Sequence, residues 1–216
     1  MRLSLHRILL RGVILLSLSS CNGLFDDLYD DPITENDKNG YIKYDSITKR
    51  GQIYVDATSY LHWAYIDLRT LQIDTSRVQN ETQPSSWDFA VHRYEAKTNG
   101  GEVIETKFST LEELLGSGSM PDGAFVKDQI GDVAIDMSDM INDNIIYHTC
   151  LVNHELSKWL DVDISIMPPI YTPSEKVYII RLNDGSCAAV RLADFRNESL
   201  VKGFLTIDYI YPLEFD

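Results

Sequence analysis

The sequence predicts an all-β domain, mostly antiparallel, with one or two short helices. Three observations carry that expectation: short segments alternate apolar and polar residues at period two, hairpin-type turn residues separate two of the strongest, and a single segment carries a helix-start signal. In chain order, residues 52–57 (QIYVDA) and 63–68 (WAYIDL) are rich in β-branched and aromatic residues and read as strands. Residues 86–94 alternate, with Trp87, Phe89 and Val91 expected on one face, and Asn99-Gly100-Gly101 then turns the chain. Thr110 and Glu113 have capping-box spacing, which predicts a short helix over 110–115 that Gly116 ends. Residues 177–182 and 188–192 flank Asn183-Asp184-Gly185, turn residues that tolerate positive φ, and so form a hairpin. Residues 204–211 supply a last strand. Between 142 and 176 the pattern is irregular, and loops on a rigid sheet are where binding residues concentrate.

The chain divides into three parts. Residues 1–20 carry Arg2, Arg7 and Arg11, then an apolar run, then small residues, the pattern of a secretory signal. Leu18-Ser19-Ser20-Cys21 is similar to the lipobox of bacterial lipoproteins, so Cys21 is the expected acylated residue and lipid anchor. Residues 21–45 read as an acidic, flexible linker with four aspartates between Asn22 and Pro32, similar to tracts that mark lipoproteins for the outer cell surface. Residues 46–216 form the domain, long enough for one sizeable core. No later segment approaches the ~18 apolar residues of a spanning helix, so the lipid is the expected membrane attachment.

Removing residues 1–20 leaves 16 basic against 33 acidic residues, a net charge of −17, which makes nucleic acid an unsuitable partner. No zinc-spaced cysteine set, H-E-x-x-H, G-x-S-x-G or P-loop is present, so no enzyme class is indicated. Cys150 and Cys187 are either one disulfide or two free thiols. His62, His92, His148 and His154 read as structural histidines.

In SIMPPIY (165–171), Met167 stands before two prolines that set φ and withhold two backbone donors, so strand pairing should stop there and the side chain can project. The competing possibility is a methionine tucked against its own sheet.

Trp87-Asp88-Phe89-Ala90-Val91-His92-Arg93-Tyr94, followed by Asn99-Gly100-Gly101, resembles the Trp-Asp-x-Ala-x-His-Arg-Tyr strand of the HmuY family of haem-binding bacterial lipoproteins. Val55-Asp56-Ala57, Tyr60, Trp63, Asp122-Gly123, Trp159-Leu160, Tyr171, Asp184-Gly185 and Tyr209-Ile210-Tyr211-Pro212 extend the likeness over most of 50–212. The resemblance implies an HmuY-like β domain, not an enzyme, with haem (iron protoporphyrin IX) as cofactor. It also implies two loop-borne axial ligands and delivery of haem to a TonB-dependent outer-membrane receptor. Host haemoproteins as haem source and a haem-linked oligomer belong to the same expectation. So does a location at the outer membrane, lipid-anchored and facing the cell surface, with a secreted or shed form as variant. His92, inside the motif, is implied as scaffold.

The best-known members use two histidines. Here the second ligand position falls in 164–169, which holds Met167, and the first falls near 140–144, beside Met140. Some relatives are similar in using paired methionines at a comparable interval. Thioether sulfur is a soft neutral donor known as an axial haem ligand, so the expected metal ligands are Met140 and Met167. Met137, His148 and Met120 also stand as candidates for the first ligand; on a strand, Met137 and Met140 would face opposite sides. Tyr147, Ile166, Ile170 and Tyr171 are the expected haem lining, and Lys158 and Lys176 the sequence-near cations for the propionates. The competing function is a structural or adhesive β-sandwich surface lipoprotein.

Overall fold

The computed structural model describes residues 39–80, 82–166 and 168–215. The expected signal peptide, Cys21, most of the acidic linker and Met167 lie outside the described residues. In chain order the strands are β1 (Gly40–Asp45), β2 (Arg50–Asp56), β3 (His62–Asp67), β4 (Gln72–Arg77), β5 (Phe89–His92), β6 (Glu95–Thr98), β7 (Glu102–Glu105), β8 (Val126–Lys127), β9 (Gln129–Asp139), β10 (Asn144–Val152), β11 (Leu160–Asp163), β12 (Ile170–Pro173), β13 (Val177–Arg181), β14 (Cys187–Arg196) and β15 (Lys202–Ile210), with one helix, α1 (Leu111–Gly116).

Among the described residues every pairing is antiparallel. One sheet runs β1-β2-β15-β14-β13-β7-β8 and a second runs β4-β3-β5-β6, while β9–β10 and β11–β12 are separate two-stranded hairpins. Period two decides which layer each residue enters. Ile53 and Val55, Tyr178 and Ile180, and Leu205 and Ile207 from the larger sheet meet Ala64 and Ile66, Phe89 and Val91 from the smaller one in the main core. The alternate residues Val177, Ile179, Ala189 and Ile210 face the other way and are covered by Leu111 and Leu114 of α1. Trp63, Tyr65 and Ala90, on the outer face of the smaller sheet, are covered by Val133, Ile135 and Val152 from the root of β9–β10. Fully burying one such aliphatic side chain contributes about 1.5–3 kcal/mol, so each layer stabilises the next.

The expected all-β class, the hairpin at 183–185 and the short helix are present. Thr110 caps α1 by accepting from the Glu113 N–H at 3.1 Å, and Ser117 follows as the C-cap. Three differences have physical reasons. Residues 40–45, expected as linker, pair along their length with β2, so the folded body begins earlier than expected. Trp87 does not share a face with Phe89 and Val91: it precedes β5 and packs with Trp63 and Tyr65 on the opposite side. The irregular stretch contains the long β9–β10 hairpin, whose period is blurred by bulges between Asn144 and Tyr147 and by apolar residues on its solvent side.

Cys150 and Cys187 are thiols that are not joined to each other. Cys150 borders the layer of Trp63 and Tyr65, and Cys187 borders the layer beneath α1.

Candidate functional site

The two consecutive hairpins that hold the expected ligand positions spring from one anchor, the turn and strand of the Trp87–Tyr94 motif. Arg93, with φ of 55°, makes the turn between β5 and β6. Its Nη1 donates to the Thr58 carbonyl at 2.6 Å and its guanidinium lies 4.5 Å from the Tyr60 ring centroid. His92 is almost wholly buried; Nε2 donates to the Tyr60 carbonyl at 2.8 Å and Nδ1 lies 3.3 Å from Glu95 Oε2. The expectation that His92 is scaffold agrees with this geometry, since both ring nitrogens are occupied.

From that anchor the first hairpin is held at its root. Asn153 donates its N–H to the Ala96 carbonyl at 2.7 Å, and Thr98 donates to both oxygens of Asp128 at 2.8 and 2.9 Å. The second hairpin is held by Trp159, whose Nε1 donates to the Tyr94 carbonyl at 2.8 Å, and by Tyr171, whose ring meets Tyr94 edge-on at 5.8 Å. A single-turn 3-10 segment, Leu156–Trp159, joins the two roots.

At the tip of the first hairpin, Met140 opens a 3-10 turn, Met140–Asn142, directly after β9. Strand alternation therefore does not relate Met140 to Met137, contrary to expectation: Met137 lies within β9, whereas Met140 follows its last residue. Asp139 holds the turn by accepting from Asn142 Nδ2 at 2.5 Å and Asn144 Nδ2 at 3.1 Å, and Asp143, with φ of 58°, closes it through its N–H to the Met140 carbonyl. Met140 is half-buried, and Ile141 beside it is 92% exposed. Met120 packs instead in the layer beneath α1. His148 pairs with the buried Val133, and its Nε2 is shielded from solvent without a hydrogen-bond partner among the described residues.

The remaining expected residues divide between the hairpins. Tyr147, on β10 opposite Ala134, is exposed, as are Ile164, Ile166 and Ile170 around the turn of the second hairpin. Tyr171 is different. Its ring stacks on Phe195 with centroids 5.5 Å apart, and the Lys202 ammonium lies 3.9 Å from its centroid. It packs against the main core. Lys158 is paired to Glu155 Oε2 at 2.6 Å and Lys176 reaches the Lys107 carbonyl at 3.5 Å, so the two sequence-near cations are otherwise engaged. Lys202, brought from β15, had no signal in the local sequence.

The electrostatics of the tips are acidic. Hydrogen bonds from Ser138 lower the pKa of Asp136, those from Asn142 and Asn144 lower that of Asp139, and those from Ser165 lower that of Asp163, so all three carry charge at neutral pH. Among the described residues no cluster of histidine, cysteine and carboxylate could hold a metal ion. Two clefts of about 200 and 250 Å³ lie elsewhere, one by Asp56, Ser59 and His62 and one by Arg50, Glu112 and Arg191; both fall short of the ~300 Å³ at which ligand pockets usually begin.

A profile of the HmuY protein family matches residues 59–209. The chain belongs to the HmuY family.

Solved structures agree with that placement. A candidate lipoprotein from Bacteroides fragilis is 49% identical with a TM-score of 0.79, covering 85% of this chain and all of its own. A candidate HmuY-like haem-binding protein from Bacteroides vulgatus is 50% identical with a TM-score of 0.76, covering 82% of this chain and all of its own. The apo HmuY analog of Tannerella forsythia, 24% identical over 76% of this chain and 96% of its own, shares the fold at a TM-score of 0.64. No curated protein matches the chain. The Trp87–Tyr94 signature of this HmuY-family chain is the structural base on which both hairpins are mounted.

Proposed function

We propose that this protein is a surface haem-binding lipoprotein, anchored at Cys21 in the outer membrane, that captures haem between Met140 and Met167 and passes it to a TonB-dependent receptor. The observation that carries the reading is the pair of hairpins raised from one anchor, each exposing apolar side chains to solvent. Ile141, Ile146 and Tyr147 stand on the first, and Ile164, Ile166 and Ile170 on the second. Membership of the HmuY family and 50% identity to a candidate haem-binding protein support it.

The residues suit the cargo. A porphyrin is a flat apolar plate, and exposed isoleucines with Tyr147 offer it dry surface. Haem brings an iron that accepts two axial donors. Met140 is presented by a turn that Asp139 and Asp143 hold rigid, and in sequence Met167 is followed by two prolines that stiffen its loop. Neither sulfur needs to lose a proton to bind, so ligation itself is insensitive to pH near neutrality.

Titration of the protein with haem in the presence of dithionite tests this. A sharp Soret band with resolved α and β bands is expected, and it should be lost or strongly reduced in Met140→Ala and in Met167→Ala. Unchanged spectra in both variants would overturn methionine ligation. A loss in Met167→Ala alone would transfer the first ligand to another residue, with the unpartnered Nε2 of His148 the next to replace.

A further inference from the structure

We propose that Lys202 is the cation that receives a haem propionate, an inference that rests on the haem reading above. Haem carries two carboxylates, and the surface it would meet is acidic. Between residues 129 and 175 the sequence holds a single lysine or arginine, Lys158, against Asp132, Asp136, Asp139, Asp143, Asp161 and Asp163 among others. Lys158 is already engaged by Glu155. A dianionic plate entering such a place is repelled unless a positive charge is supplied from elsewhere in the fold.

Lys202, the first residue of β15, supplies it. Its ammonium is 3.4 Å from the carbonyl of Pro169, two residues beyond Met167, and 3.9 Å from the centroid of the Tyr171 ring. Both contacts lie on the hairpin that carries the second ligand position. Both are also weak: a long hydrogen bond to a neutral carbonyl and a half-exposed cation–π contact. Among the described residues Lys202 pairs with no carboxylate, although the chain has 33 acidic residues against 19 basic ones. A carboxylate arriving beside Pro169 would offer a charge-assisted bond stronger than either contact it replaces. Turning of the ammonium from the Tyr171 ring to the propionate would leave that ring free to face the porphyrin edge. Leu200 and Val201, in the turn just before Lys202, are exposed apolar residues next to it in sequence.

The test compares haemin with its dimethyl ester, whose carboxylates are masked, under reducing conditions in the wild-type protein, Lys202→Gln and Lys202→Arg. Lys202→Gln should weaken haemin binding roughly three- to tenfold, the range of a partly exposed charge-assisted bond. The methionine-type spectrum should be unchanged, Lys202→Arg should recover most of the affinity, and the ester should bind wild type and Lys202→Gln alike. Equal weakening of both porphyrins would mean that Lys202 only braces the Tyr171 wall, and no weakening of either would mean that it is a bystander; each overturns the proposal. Failure of the wild-type protein to bind either porphyrin would overturn the haem reading itself, and this inference with it.

Discussion

Asn153 donates through Nδ2 to Oδ1 of Asp128 at 2.9 Å, and so closes the base of the β9–β10 hairpin with a bond between the residue after its last strand and the residue before its first. Asn153 is completely buried, and each of its polar groups has a partner: the N–H goes to Ala96, Nδ2 also reaches the Val126 carbonyl at 3.0 Å, Oδ1 accepts from the Leu156 N–H, and the carbonyl accepts from Ser157. The clamp ties the Met140 hairpin to β6 and to the segment leading into the Met167 hairpin. Asn153→Ala leaves the Leu156 N–H and the Asp128 carboxylate short of partners. It should destabilise the domain by roughly 2–4 kcal/mol in chemical denaturation. Hydrogen exchange over residues 129–152 should rise first, and an Asn153→Ala protein with unchanged exchange there would refute the clamp.

A second relationship makes stability depend on acid. Arg69 bridges Asp88, just before β5, and Asp184, in the β13–β14 turn, the latter at 2.6 Å. The Ser186 hydroxyl and N–H, with the Arg69 guanidinium behind them, lower the Asp184 carboxyl to about 2 from 3.8. A carboxylate with a lower pKa in the folded state binds fewer protons there than in the unfolded chain. Its contribution is therefore complete above about 4 and lost as pH falls toward about 2. Thermal midpoints measured between pH 2 and pH 5 should fall steeply at the acid end, and Asp184→Asn should flatten that limb while leaving the neutral-pH midpoint within a few degrees. An unaltered acid limb in the variant would place the pH dependence elsewhere.

The parts of this fold that were legible are those whose environment is one-sided or fully buried. Val177 to Ile180 are buried on both faces and read as a continuous apolar run, and Asp184-Gly185 marks their turn directly. β9 and β10 were not legible because Ile130, Tyr147 and Leu151 occupy the solvent side, so hydrophobicity no longer reports which face is inside. The proposed ligand positions rest on family likeness, with Met167 singled out also by its prolines. Local pattern misleads at Met140, because alternation implies a strand where a 3-10 turn begins. Asp128, Asn153 and Lys202 carried no signal at all: each matters through a contact with an element 25 to 33 residues away, and one sequence does not encode such pairs in its spacing.

The thiols should behave as two protected, unlinked groups. Burial raises the pKa of Cys187, which slows its reaction, and Cys150 borders the Trp63 and Tyr65 layer, where burial together with the neighbouring thiol pushes Tyr65 up to about 12. Iodoacetamide should label the folded domain slowly at pH 7.5 and label both cysteines quickly once it is unfolded. The mass of a protein expressed without its first 38 residues should be the same before and after reduction, apart from noncovalent adducts. A loss of two mass units on oxidative refolding, accompanied by protection from alkylation in denaturant, would show a disulfide instead.

Axial sulfur predicts a dependence on redox state that imidazole would not produce. A thioether is neutral and soft, so it favours ferrous over ferric iron, and two of them add their preferences. Haem should therefore bind at least tenfold more tightly with dithionite than without it, which by linkage raises the reduction potential of the bound haem above that of the free one by about 59 mV for each tenfold in the affinity ratio. Replacing Met140 by histidine should shrink the difference, because the imidazole nitrogen holds ferric iron well, and the bound potential should fall with it. Titrations in both redox states, on wild type and on Met140→His, give the two affinity ratios. Equal affinity in both states for the wild-type protein would rule out a pair of methionines, whatever the spectrum of the reduced complex.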